Sequence, residues 1–171
     1  MPLLADAVDT YIEDPTTGMM EFTDKADKIW QNMTAFAARG LGASVLGPYD
    51  RAMFALISAL EEEPSKTQEI LDSRIKAACA WITHASKPLL RWALENAGRT
   101  DASPDDTAVY MDGGPLYRGP PLMCLQRWGF WIDRLEELGK DASGAGGGAR
   151  KVALETARTM RQVEARLGHT L

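Results

Sequence analysis

Apolar residues recurring at three- and four-residue spacing, cut repeatedly by glycine and proline, restrict this chain to helices. Ala26, Ile29, Trp30, Met33, Phe36 and Ala37 form one such stripe, as one face of a 3.6-residue helix requires. Thr23 is placed to cap it, with Asp24 and Asp27 in the first turn to complement the dipole. Gly40 and Gly42 end it. An earlier helix is predicted over residues 3–13 from Leu4, Val8, Tyr11 and Ile12, stopping before Pro15. Asp50 can cap a further helix carrying Met53, Leu56, Ile57 and Leu60. Its end, Glu61-Glu62-Glu63 before Pro64, opposes the helix dipole, so these acids must fray or find basic partners.

From Ser65, Ile70, Leu71, Ile75, Ala78, Trp81 and Ile82 run along one face until Pro88. That proline lacks an N–H and clashes with the carbonyl four residues back, at His84, so it kinks or ends the helix. Leu89, Leu90, Trp92 and Ala93 resume the pattern up to Gly98. Residues 99–119, rich in Gly, Pro and Asp, form a loop of about 20 residues, a length more often functional than idle. Pro120-Pro121 are expected to open a helix bearing Leu122, Leu125, Trp128, Trp131 and Leu135, closed by Gly139. A flexible Gly-rich linker over 140–148 then precedes a last amphipathic helix, Ala149 to Leu167. No alternating strand pattern and no internal repeat are present. The expectation is all-α: one domain over 1–171, a bundle of about six helices with one long Gly/Pro-rich loop.

The 171 residues suffice for one domain. A net charge of −5 argues against a nucleic-acid-binding face, which needs clustered cations. No stretch approaches the roughly 18 apolar residues of a membrane span, and the N-terminus has no basic signal region. Cys79 and Cys124 suit a reducing compartment, where both remain thiols. The reading is a cytoplasmic protein without nucleic-acid or membrane partners. No phosphate loop, nucleophile elbow, metal motif or dinucleotide fingerprint is present, so no metal and no cofactor are expected.

Five tryptophans are many for this length. Trp30, Trp81, Trp128 and Trp131 either fill the core or line a pocket for a hydrophobic small molecule between helices. His84, beside the disturbance made by Pro88, is the candidate acid/base. Arg127 and Arg134 lie seven residues apart, off the buried stripe of their helix, where they can stack on indoles or clamp a carboxylate. Tyr117-Arg118 can close over that helix as a lid. Cys124 reads first as a small buried hydrophobe.

The run Gly114-Pro115-Leu116-Tyr117-Arg118-Gly119-Pro120-Pro121-Leu122-Met123-Cys124-Leu125-Gln126-Arg127-Trp128-Gly129-Phe130-Trp131, together with the helix from Trp30 to Arg39, resembles a family of small fungal proteins known only as a domain of unknown function. The resemblance implies a single helical domain and a role near natural-product biosynthesis, and it supplies no catalytic residues. The resulting expectation is a cofactor-independent enzyme of fungal secondary metabolism that cyclises or isomerises a terpenoid or polyketide intermediate, pericyclic chemistry included. Trp30, Trp81, Trp128, Trp131 and Arg134 would contact substrate, and His84, Tyr117 and Arg127 would be catalytic. The alternative is a non-catalytic helical partner or hydrophobic-ligand carrier. A homodimer burying the last helix is a further expectation.

Overall fold

A computed structural model describes residues 13–97, 99, 112–142 and 144–168. The helix expected over 3–13 and most of the loop over 99–119 lie outside the described residues. Those described form a 3-10 turn, Pro15–Thr17, and five α-helices with no strand: α1 Asp24–Gly42, α2 Tyr49–Leu60, α3 Gln68–Glu95, α4 Leu125–Lys140 and α5 Gly147–Gly168. The all-α bundle read from the sequence is the observed fold.

The 28-residue α3 is the axis of the molecule, and every other α-helix packs against it. Its buried face, Leu71, Ile75, Ala78, Trp81, Ile82, Leu89 and Leu90, continues past Pro88. The expected disturbance falls at Ala85, whose φ of −127° and ψ of 18° leave the helical region. Pro88 denies the His84 carbonyl its helical donor, and the backbone of Gly42 comes up against that oxygen. A Cβ on Gly42 would overlap it, so α1 and α3 cross where one helix is kinked and the other has no side chain.

Local chemistry sets the boundaries. Thr23 caps α1 by accepting the Ala26 N–H at 3.2 Å. Two expected starts move. The third helix begins at Gln68, not Ser65, and the Trp-bearing helix begins at Leu125, not at Pro120-Pro121. Leu122, Met123 and Cys124 are buried in a bent, non-helical segment, and the Asn96 amide donates to the Met123 carbonyl at 2.8 Å. That external hydrogen bond and the burial outweigh the helix-starting preference of the two prolines. Of the Gly-rich stretch 140–148, Lys140 still belongs to α4 and Gly147 already to α5. Between them Ala145 is buried and the Gly146 N–H donates to Asp72 at 2.8 Å. No described helix is long and apolar enough to cross a membrane.

Candidate functional site

Two features stand out, one closed and one open. The closed one is built on Glu61, the residue that ends α2. Its side chain is wholly buried, as is that of Arg127 in the first turn of α4. Arg127 Nε donates to Oε1 at 2.7 Å and Nη2 to Oε2 at 2.8 Å, a bidentate fork. Trp131 Nε1 adds a bond to Oε1 at 2.7 Å, and the Gly114 N–H one to Oε2 at 2.9 Å. Each carboxylate oxygen thus accepts two donors, as a buried charge demands. Gly113 has φ of 82°, and a Cβ on Gly114 would strike the Glu61 backbone. Glycine is required here because the chain folds tightly over the carboxylate, and the Leu116 N–H then bonds the Glu61 carbonyl at 2.9 Å.

Tyr117 completes this closed site. Its ring lies 5.1 Å from the Arg127 guanidinium, with Trp131 at 5.9 Å. Its hydroxyl is 3.5 Å from Cys124 Sγ. Burial first, then the Cys124 contact, push the Tyr117 pKa above the usual tyrosine value, with Arg127 opposing. With its lone pairs occupied and its groups buried, this constellation is a clasp. It joins the end of α2, the 113–117 turn and α4.

The open feature is a cleft of about 460 Å³ between α1, α2, α3 and the segment leading into α1. Trp30 and Thr34 come from α1, Arg51, Phe54 and Ala55 from α2, and Trp81 from α3. Glu13, Asp14, Thr17, Met19 and Met20 complete the lining. The indoles are almost wholly buried, whereas Met19 is 92% and Phe54 49% exposed. Arg74 of α3 fixes the incoming segment. Its Nε donates to Thr16 Oγ1 at 3.1 Å, its Nη2 to the Thr16 carbonyl at 3.0 Å and its Nη1 to Glu62 at 3.2 Å. Asp14 closes the 3-10 turn through Oδ1, which accepts the Thr16 N–H at 2.8 Å and hydroxyl at 2.7 Å. One wall of the cleft is therefore held to the frame by hydrogen bonds from Arg74, which is itself ion-paired to Glu62.

The residues singled out from the sequence separate into five places. Trp30 and Trp81 meet in the cleft. Trp128 and Trp131 do not join them. Both are fully buried in the core, and the Trp128 indole N–H has no partner among the described residues. Arg127 and Tyr117 belong to the clasp, so Arg127, expected off the buried stripe, is instead inside the protein against Glu61. Arg134 ion-pairs with Glu137 at 2.6 Å and borders a separate hollow with Glu63, Pro64 and Leu116. His84 is exposed on α3, and partial desolvation together with Arg39 lowers its pKa from the usual histidine value. It does not line the cleft. Cys79 and Cys124 are free and buried.

Residues 1–135 match a family model described as a protein of unknown function, DUF3632. The chain belongs to that family. Clasp and cleft both lie within the matched span, and α5 lies beyond it. No curated protein and no solved structure matches the chain.

Sequence reasoning missed Glu61 as the centre of the clasp, although the triple acid at a helix C-terminus asked for a basic partner. It also missed Met19, Met20 and Phe54. Their signal was present: two thioethers in a polar stretch, and an aromatic ring outside the Met53, Leu56, Ile57, Leu60 stripe.

Proposed function

We propose that the protein is a binding module for a hydrophobic small molecule, with the cleft of Trp30, Phe54 and Trp81 as its site. One observation carries the reading. Large apolar groups, Met19 and Phe54 foremost, stand open to water beside two indoles around a hollow within the roughly 300–1,000 Å³ range of small-molecule sites. Removing such surface from water favours a ligand, and the aromatic and thioether walls adapt to its shape. The two free, buried thiols fit a reducing, cytoplasmic compartment.

A second reading draws on the same walls: a cyclase or isomerase of secondary metabolism acting on a terpenoid or polyketide. A partly buried aromatic hollow favours folded, desolvated substrates. Binding is placed ahead of catalysis because His84, Tyr117 and Arg127 do not line the cleft.

Titration with Nile red tests the site. Wild-type protein is expected to bind the dye with a rise in melting temperature of about 5 °C at saturating dye. Phe54→Ala, which removes an exposed wall, and Ala55→Met, which fills the hollow, should each weaken binding about tenfold with little change in the stability of the ligand-free protein. Dye binding unaffected by both variants would reject the cleft. Turnover of terpenoid or polyketide intermediates above the buffer rate would decide for the enzyme.

A further inference from the structure

We infer that the ligand of this cleft is an amphiphilic cation, an apolar body carrying an ammonium group, an inference that rests on reading the cleft as a binding site. The charge at the mouth is the argument. Glu13 and Asp14 are both part of the lining. Among the described residues neither the Glu13 carboxylate nor Asp14 Oδ2 has a hydrogen bond or ion pair, while Asp14 Oδ1 serves the 3-10 turn. The cation of the lining, Arg51, is already engaged in an interaction within the chain. Two carboxylates in the lining stand against one guanidinium, so an incoming positive group is favoured over an anion.

The walls point the same way. Trp30, Trp81 and Phe54 supply π-systems, and tryptophan is the best aromatic partner for a cation. A quaternary ammonium, without N–H donors, is also weakly hydrated compared with a protonated primary amine, so its apolar shell can enter an aromatic hollow while the carboxylates stay at the rim. The net negative charge of that rim, in a partly screened environment, is worth about tenfold in affinity over a neutral head. Exposure of the rim makes that preference fall with added salt.

Calorimetric titration of the full chain with octyltrimethylammonium, 1-octanol and octanoate, each below its aggregation concentration, separates the possibilities. The ammonium should bind about tenfold tighter than the alcohol at low salt, with octanoate weakest. In the double variant Glu13→Gln/Asp14→Asn that preference should vanish while octanol affinity is kept. Asparagine still accepts the capping bonds, so the wall is preserved. If octanol or octanoate binds as tightly as the ammonium, the charge inference falls and the hydrophobic site stands. If none of the three binds, the cleft is not the site and both readings fall.

Discussion

Glu61 and Arg127 show how one buried ion pair constrains a small helical protein. Taking both charges out of water is costly, and the fork between them, with Trp131 and the Gly114 N–H, offsets the cost by satisfying both carboxylate oxygens. Removing one partner leaves the other buried and uncompensated. Arg127→Met is therefore expected to lower the unfolding free energy by about 3–5 kcal/mol. Glu61→Gln should cost a similar amount, because it strands the buried Arg127 cation and turns one carboxylate acceptor into an amide donor that faces N–H groups. The double variant Glu61→Gln/Arg127→Met should be more stable than the sum of the single losses predicts, since the two sites share one network. Urea denaturation at unchanged m-value measures all three. Strict additivity would show that the pair is not coupled, and the clasp would lose its role as a joint.

At the scale of elements, the crossing of α1 and α3 depends on a proline in one helix and a glycine in the other. Gly42 reaches the His84 carbonyl where Pro88 has removed the helical donor. Gly42→Ala should destabilise the protein by about 1–3 kcal/mol, although alanine is the better helix former. A stabilised Gly42→Ala variant, read by thermal unfolding, would mean that the two helices can separate freely there. The Pro88 kink was legible in the sequence because proline acts on its own helix. Its consequence was not, since nothing local to Gly42 says which carbonyl it will meet 42 residues on. The same distinction runs through the site. Helical spacing marked Trp30 and Trp81 as buried, and they share a cleft, but spacing marks Trp128 and Trp131 identically, and they are core. Arg127 lay off the apolar stripe by periodicity and was drawn inside by Glu61, a pairing across 66 residues. Local preference also lost to tertiary contacts at Pro120-Pro121, where the helix waits until Leu125.

Across the whole molecule, the core is completed by a helix outside the matched family span. Ala149, Ala153, Ala157 and Met160 of α5 are buried, and α5 packs on α3 and α4. Cys79 of α3 sits in this seam, its thiol hydrogen-bonded to Thr156 of α5. Burial raises its pKa from 9.0 to about 12, against the smaller opposing effect of Thr156. The folded state therefore keeps a proton that the unfolded chain releases near pH 9. With more protons bound to the folded form, stability is fully present below pH 9 and falls as pH rises toward 12. Each pH unit in that window removes at most about 1.4 kcal/mol through this group. Tyr117, also raised, adds a decline of the same sign from its ordinary value upward. Cys79→Ala removes the first contribution and leaves the second. Its unfolding free energy should therefore fall more gently than that of the wild type between pH 9 and pH 10, where a thiol but not a phenol begins to ionise in the unfolded chain. Parallel slopes for the two proteins would show that the thiol ionises in the folded state as readily as in water, and that the seam between α3 and α5 admits solvent.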